Sequence, residues 1–311
     1  MKALLFPGQG SQVVGMGKEF YDNFPKAKNY FDIADEVLKF KLSKLILEGP
    51  DNELILTKNT QPSILLVGFT IYKIIKEEFG VDSSNFKFFA GHSLGEYTAL
   101  AAANSIKFED AIKAVSLRGH YMQEAVKEGA GAMLAILGMD IHEVEIFFQQ
   151  IKKNFMGVCE IANDNSIGQV IVSGEKHTIN FVNEELKKSN KKSVLLPVSA
   201  PFHCSLMQSA EQNMKKTLNE ISFKKPEVPI IHNVSAEPNQ NENVVIELLL
   251  KQICARVRWR ESLINMHNLG IKKFIEIGPG KVLTGMVKRT LKNVDTLSIN
   301  TIKEIENLTN V

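Results

Sequence analysis

The sequence predicts an α/β fold in which a small ferredoxin-like unit is inserted into a larger α/β domain. Two observations carry this prediction. Short apolar strands end at glycine-rich turns and are followed by helices in the first and last parts of the chain. Between them, the elements follow the order β-α-β-β-α-β, which is typical of the ferredoxin-like arrangement.

The first third of the chain alternates strand and helix. Residues Ala3–Phe6 predict a short buried strand that breaks at Pro7 and enters a glycine-rich turn. Helical periods follow to about residue 80. Residues Phe86–Ala90 predict a second strand ending at Gly91, and the alanine-rich segment 96–104 predicts a helix.

The middle segment, residues 129–198, predicts the small domain, with residues 1–128 and 199–311 forming the large one. Its predicted elements are strands 132–137, 159–162, 169–173 and 193–198 and helices 141–152 and 178–188. The large domain is expected to resume near Ser199. Two later strands are predicted, Ile230–Asn233 and Lys273–Ile277, the second running into a Gly-Pro-Gly turn and a helix.

Composition excludes several classes of protein. The 311 residues are 44% hydrophobic and 23% charged, with a formal net charge of +2, so no strong field favours nucleic acid or a membrane surface. The three cysteines form no CxxC pair, which favours a reducing compartment and predicts no structural metal. The apolar run at the amino terminus is too short for the apolar region of a signal peptide, so a cytoplasmic protein is expected.

The pentapeptide Gly91-His92-Ser93-Leu94-Gly95, between a predicted strand and helix, has the pattern of a nucleophile elbow. Its glycines permit a tight turn that lifts the Ser93 hydroxyl towards a substrate. The Leu94 N–H, at the helix amino terminus, can donate to a developing oxyanion. The alternative is a glycine-rich corner whose serine only caps the following helix.

Of the seven histidines, His203 is the best placed to act as the base, because its loop follows a predicted strand. A solvated loop histidine is the alternative. No acid that could orient His203 is evident nearby, so the sequence predicts a Ser-His dyad rather than a Ser-His-Asp triad. A backbone carbonyl would suffice to orient the histidine.

The first glycine-rich turn, Gly8–Gln12, lacks the last glycine of GxGxxG and any following Gly-Lys-Ser/Thr, so it does not predict nucleotide binding. It predicts a loop that brings the Gln9 N–H to the oxyanion site, since a single N–H donor stabilises an oxyanion only weakly. A plain glycine turn remains the alternative.

Arg118 is the only charge within the apolar half of a predicted helix over 108–127. A buried guanidinium needs a carboxylate partner, from the protein or from the substrate. A structural ion pair or a snorkelling side chain is one interpretation. The other is a bidentate clamp for an acidic acyl group.

Several motifs, in order, resemble those of the malonyl-CoA:acyl carrier protein transacylases from residue 3 to about residue 290. They are the segments 6–12, 91–97, the surroundings of Arg118, 197–203 and 257–259. The resemblance implies a hydrolase-like, parallel-sheet large domain with a ferredoxin-like insert. It also implies malonyl-CoA as the substrate, no bound cofactor, and acyl carrier protein, which carries the phosphopantetheine, as the partner. The protein is expected to be a monomer.

The same resemblance implies the site roles residue by residue. Ser93 would be the nucleophile, His203 the base and Arg118 the partner of the malonyl carboxylate, with Gln9 and Leu94 as oxyanion donors. Two further positions match the family pattern. Gln252 corresponds to the glutamine whose backbone carbonyl orients the histidine, and Phe202 resembles the malonyl-selecting form, whose bulky ring leaves little room for an α-methyl branch.

The function expected is transfer of a malonyl group to acyl carrier protein through a malonyl-serine intermediate, supplying fatty acid elongation. Three alternatives stay open. A serine esterase or thioesterase would share the elbow and base, a non-catalytic subunit would keep them unused, and a loading acyltransferase of a polyketide synthase would use the same chemistry.

Overall fold

A computed structural model gives the structure of the protein and describes residues 1–154, 157–198 and 200–309. Ser199, where the large domain was expected to resume, lies outside the described residues. The strands are β1 Lys2–Phe6, β2 Phe88–Gly91, β3 Gly131–Leu137, β4 Cys159–Ser166, β5 Gln169–Glu175, β6 Lys192–Leu195, β7 Ile230–Ile231, β8 Pro238–Asn239, β9 Lys273–Ile277 and β10 Asp295–Ile299. The α-helices are α1 Lys18–Asn23, α2 Pro25–Leu38, α3 Leu42–Glu48, α4 Asp51–Leu54, α5 Thr57–Phe79, α6 Gly95–Ala102, α7 Phe108–Glu124, α8 Ile141–Ile151, α9 Lys176–Lys188, α10 Gln208–Asn219, α11 Val245–Cys254, α12 Trp259–Asn268, α13 Val282–Thr290 and α14 Ile302–Thr309.

The large sheet has six strands in the order β10-β9-β1-β2-β7-β8. All neighbouring pairs are parallel except β7 with β8. Alternate residues of β1 face two different layers: Leu4 and Phe6 belong to the core with α5, α6 and α7, whereas Ala3 and Leu5 pack with α12 and α13. The sheet is therefore covered by helices on both faces, as parallel sheets are.

The small sheet has four antiparallel strands in the order β4-β5-β3-β6. This is the ferredoxin-like order, and the predicted β-α-β-β-α-β arrangement is confirmed. One face carries Leu134 and Val172, which pack with apolar residues of α8 and α9. The other face carries Met133 and Ile171, which join the main core of the large sheet.

A seam of backbone hydrogen bonds joins the end of β4 to the segment between α11 and α12. The Val257 amide donates to the Ala162 carbonyl, and the Asp164 amide donates to the Val257 carbonyl. The Asp164 carboxylate also receives both Nε and Nη2 of Arg260, at 2.9–3.0 Å. The small sheet is thus fixed against the segment that follows Gln252.

Several element ends differ from those predicted. The strand predicted to end at Val198 ends at Leu195, because Pro197 lacks the N–H that a ladder needs. The strand predicted over 159–162 continues to Ser166, where it meets the seam. The strand predicted over 230–233 keeps only Ile230 and Ile231, because the next two residues turn to the site. The helix predicted to residue 127 ends at Glu124.

None of the helices in the described part of the chain combines the length and apolar character that a membrane span requires. The three cysteines are free, and Cys204 is buried while Cys159 and Cys254 are half-buried.

Candidate active site

Ser93 lies on the sharp turn between β2 and α6. Its φ of 52° is in the left-handed region, which is unusual for a residue other than glycine. A Cβ atom at Gly91 would lie 1.9 Å from the Gly95 carbonyl oxygen, so the turn requires glycine there. The predicted nucleophile elbow is present as a backbone structure.

Asn233, directly after β7, holds this turn from the neighbouring strand. Its side-chain oxygen accepts the Ser93 backbone N–H at 2.7 Å, and its side-chain nitrogen donates to the Gly91 carbonyl at 2.7 Å. Because Asn233 is fully buried, no water competes for these bonds. The strained turn is therefore fixed by a side chain that the sequence did not single out.

His203 lies within hydrogen-bond distance of Ser93, the predicted nucleophile. Its Nε2 is 2.9 Å from Ser93 Oγ, and its Nδ1 is 2.7 Å from the Gln252 carbonyl oxygen. A carbonyl only accepts, so Nδ1 carries the proton and Nε2 presents a lone pair to the serine hydroxyl. The predicted dyad has the geometry that a serine and its base require.

The environment keeps His203 neutral. Burial lowers the pKa of His203 to about 3, and the Arg118 charge adds to the effect, against a raising contribution from the Gln252 carbonyl. The imidazole is therefore in its basic form at neutral pH. The backbone carbonyl does the orienting that an aspartate does in a triad.

Arg118 is only 1% exposed, and it lies beside the dyad. Its Nη2 is 3.0 Å from Ser93 Oγ and 2.9 Å from Gln252 Oε1, and its Nη1 is 2.7 Å from Gln61 Oε1. The Tyr97 ring lies 5.8 Å from the guanidinium carbon. The predicted inward-facing arginine is thus placed at the nucleophile.

The partners of Arg118 are neutral oxygens. Among the described residues no carboxylate forms an ion pair with Arg118, and its Nε has no hydrogen-bond partner there. Burial lowers the pKa of Arg118, against the raising effect of Tyr97 and Glu96. A buried cation without a paired anion is costly, so the site favours an anionic ligand.

The loop after β1 packs directly on the elbow. A Cβ atom at Gly8 would lie 2.5 Å from the His92 carbonyl oxygen, so only glycine permits this approach. The next residue, Gln9, is tied by its side chain to Thr57 Oγ1 at 3.2 Å. Within the described ranges, the backbone amides of Gln9 and Leu94 donate to no protein acceptor, so both are free to donate to an oxyanion.

Phe202 and His92 are the chain neighbours of His203 and Ser93. Phe202 is buried, and its carbonyl accepts the Ser173 hydroxyl at 2.6 Å. His92 points away from the dyad: its Nε2 is 2.8 Å from Asn165 Oδ1, and burial lowers its pKa to about 4. His92 therefore contributes to the contact between the two sheets rather than to the dyad.

Sequence reasoning missed three buried polar residues at the site, Gln61, Glu96 and Asn233. Gln61 is a polar residue within the apolar helix α5, a signal that was available. Asn233 is the last residue of a predicted strand, next to the loop position where catalytic groups gather. Glu96 had no signal, because an acid in the first turn of a helix is ordinary. No three metal-ligating side chains come together in the part of the chain that the structure describes.

The fold and the site together define a class of protein. A serine on a sharp turn, a histidine beside it and a buried arginine are typical of the acyltransferases that work through a serine. The family model described as "Acyl transferase domain" matches residues 3–307. The malonyl CoA-acyl carrier protein transacylase of Bacillus subtilis (strain 168) is 42% identical over 305 residues, covering 98% of this chain and 95% of the relative.

Solved structures agree with this match. An acyl-carrier-protein-S-malonyltransferase from Bartonella henselae is 40% identical, with a TM-score of 0.95 and coverage of 100% of this chain and 99% of that one. A malonyl-transacylase in complex with its type II PKS acyl-carrier protein gives 35% identity, a TM-score of 0.94 and 99% coverage of both chains. The chain belongs to the malonyl CoA-acyl carrier protein transacylase family.

Proposed function

We propose that this protein transfers the malonyl group of malonyl-CoA to the phosphopantetheine thiol of acyl carrier protein, through an ester on Ser93. The names of the relatives support the two substrates. The observation that carries the proposal is Arg118, a buried guanidinium with no carboxylate partner among the described residues, 3.0 Å from the nucleophile. An acyl chain ending in a carboxylate supplies the missing anion.

In the first half-reaction, Ser93 Oγ gives its proton to His203 Nε2 and bonds to the thioester carbon. The contact of 2.9 Å between these atoms supports this transfer. The carbonyl oxygen becomes an oxyanion, which the Gln9 and Leu94 amides would stabilise. The carbon–sulfur bond then breaks, and the departing thiolate of coenzyme A takes the proton from His203.

In the second half-reaction, the phosphopantetheine thiol gives its proton to His203 and attacks the ester carbon. The same two amides would hold the oxyanion. The carbon–oxygen bond breaks, and Ser93 Oγ recovers its proton from His203. Gln252 would keep His203 oriented in both halves, since its carbonyl lies 2.7 Å from Nδ1, and Arg118 would hold the malonyl carboxylate throughout.

Specificity for an unbranched chain would come from Phe202, whose ring we propose to exclude an α-methyl branch. We also propose two domains, with residues 129–198 as the small one, an assignment that the four-stranded sheet supports. The protein would act as a cytoplasmic monomer without a bound cofactor, nucleic acid or membrane, in fatty acid elongation. Three free cysteines support a reducing compartment.

The test is mass spectrometry of the intact protein after brief mixing with malonyl-CoA. We expect one malonyl group per chain, located on Ser93 by peptide mapping and absent from Ser93→Ala. Addition of holo-acyl carrier protein should move the label to the carrier. A serine hydrolase would instead release free malonate without accumulating the ester, and failure of every acyl-CoA donor to label Ser93 would indicate a non-catalytic subunit. Comparing carrier proteins from fatty acid and polyketide synthesis would identify the pathway.

A further inference from the structure

Gln252 contacts three parts of the site at once. Its backbone carbonyl holds His203, its side-chain oxygen accepts from Arg118 at 2.9 Å, and its side-chain nitrogen donates to the Ser93 carbonyl at 3.1 Å. Only the first of these contacts is explained by the role of Gln252 in orienting His203. The side chain must present its oxygen, and not its nitrogen, to the guanidinium.

A glutamine amide can turn over by 180° with little change in shape, so its own geometry does not decide which end faces Arg118. Turned over, Gln252 would set its NH₂ against the Arg118 N–H groups, and two donors would face each other. Some neighbour must therefore fix the orientation of this amide.

The Ser93 carbonyl and Glu96 both do this as acceptors, and Glu96 is the charged one. Its Oε2 accepts from Gln252 Nε2 at 2.8 Å, against 3.1 Å for the Ser93 carbonyl, and a carboxylate only accepts, so the nitrogen end of the amide is held towards Glu96. The same oxygen accepts the Asn233 backbone N–H at 2.9 Å. Oε1 lies 2.6 Å from His232 Nδ1. Glu96 and His232 are both fully buried, so the carboxylate has no freedom to reorient.

We propose that Glu96 is a positioning residue for acyl selection. It fixes the Gln252 amide, which in turn aims the Arg118 guanidinium at the nucleophile and at the acyl carboxylate. The inference rests on the proposed function, because it assigns Glu96 to the selection of a carboxylated donor. Glu96 touches no reacting atom.

The experiment compares Glu96 with Glu276, a second fully buried carboxylate, which accepts the backbone N–H groups of Leu283 and Thr284. Rates of Ser93 acylation by malonyl-CoA and acetyl-CoA are measured for Glu96→Ala and Glu276→Ala. We expect Glu96→Ala to lower the ratio of malonyl to acetyl rates by about 10- to 100-fold, the effect seen when a metal ligand loses the hydrogen-bond partner that orients it. Glu276→Ala should lower both rates equally or not at all.

Aspartate variants keep the comparison decisive if the alanine variants do not fold. Glu96→Asp retains the charge but moves it away from Gln252 by the length of one methylene, and Glu276→Asp is the matched control. The ratio should fall for Glu96→Asp alone. Equal losses for the two donors in Glu96→Ala or Glu96→Asp would overturn the inference.

Glu96→Gln gives a rescue that a merely structural role does not require. Its amide oxygen can accept from both Gln252 and Asn233 if its nitrogen donates to His232 Nδ1. The His232 proton must then move to Nε2, which has no partner among the described residues. We expect a near-normal donor ratio together with that change of tautomer in the ¹⁵N NMR spectrum. A normal ratio with an unchanged tautomer contradicts the hydrogen-bond arrangement.

A failure of the proposed function would be visible separately, in wild-type protein that forms no malonyl ester on Ser93. The variants are then compared by the rate at which a neutral fluorophosphonate labels Ser93, since Arg118 also contacts Oγ. Slower labelling in the Glu96 variants than in the Glu276 variants would sustain the positioning role. Equal labelling would reject it.

Discussion

Replacing Arg118 by alanine tests the proposed acyl clamp most directly. The change removes a fully buried cation that donates to Ser93 Oγ and to the side-chain oxygens of Gln61 and Gln252. Those two amide oxygens are left without their donor in every state of the enzyme. That cost, about 1–3 kcal/mol for an unpaired buried acceptor, lowers the stability of the fold. Acylation by any donor should also slow, because Ser93 Oγ and the Gln252 side chain lose the group that positions them.

The malonyl donor loses a further contribution, its ion pair with the guanidinium. Breaking a buried pair by removing one partner costs about 3–5 kcal/mol, which corresponds to a factor of about 10²–10⁴ in rate. Acetyl-CoA has no carboxylate to lose, so its rate carries only the first effect. The ratio of the malonyl and acetyl rates isolates the clamp.

The assay is single-turnover acylation, stopped at short times and read by mass spectrometry of the intact chain. Arg260→Ala is a suitable control, because Arg260 is a partly buried arginine that bonds to a carboxylate, Asp164, and not to Ser93, His203 or Gln252 in the described residues. That variant should lose stability and keep its donor ratio. An unchanged malonyl-to-acetyl ratio in Arg118→Ala would refute the reasoning.

Replacing His203 by glutamine should lower acylation of Ser93 by about 10²–10⁴, the usual contribution of a positioned base, as measured by the same assay; full activity would contradict the dyad. Burial lowers the pKa of His203 to about 3 in the folded protein. As the pH falls below about 6.5, the His203 imidazole is therefore protonated in the unfolded chain but not in the folded one, and the folded state loses stability. Urea unfolding at pH 5 should therefore show the wild type losing about 2 kcal/mol relative to its value at pH 8, beyond any loss in the glutamine variant; parallel pH curves would count against a buried, neutral imidazole. Asn233→Ala should cost about 1–3 kcal/mol in unfolding free energy and slow acylation, since the Ser93 and Gly91 backbone groups lose their partner; a variant with normal stability and rate would argue against this support. Gly91→Ala should yield no correctly folded protein, because its Cβ would overlap the Gly95 carbonyl, and a native circular dichroism spectrum would exclude that clash.

Features that depend on neighbouring residues in the chain could be predicted from the sequence. The elbow is encoded within five residues, so its strand, turn and helix could be recognised together. Arg118 was visible because helical periodicity makes one charge in an apolar face conspicuous. The β-α-β-β-α-β order was likewise readable from local periods, and the structure confirms it.

Features that depend on distant residues could not be predicted. Asn233 and Glu96 support the elbow through side-chain bonds between segments far apart in the chain, and nothing in either local pattern indicates the partner. The extension of β4 to Ser166 passes two register shifts in its pairing with β5, and Val257, distant in the chain, provides a further backbone partner at Asn163. The contact of Gln252 with His203 came from the family resemblance and not from the pattern.

The order of strands in the large sheet has a consequence for folding during synthesis. The first strand made, β1, lies between β2 and β9, and β9 pairs with it along its length. Its partner emerges from the ribosome only after most of the chain, whereas the small sheet pairs strands within a single continuous segment. We therefore expect the inserted unit to form early, with β1 exposing an unpaired apolar edge until the carboxyl-terminal segment arrives.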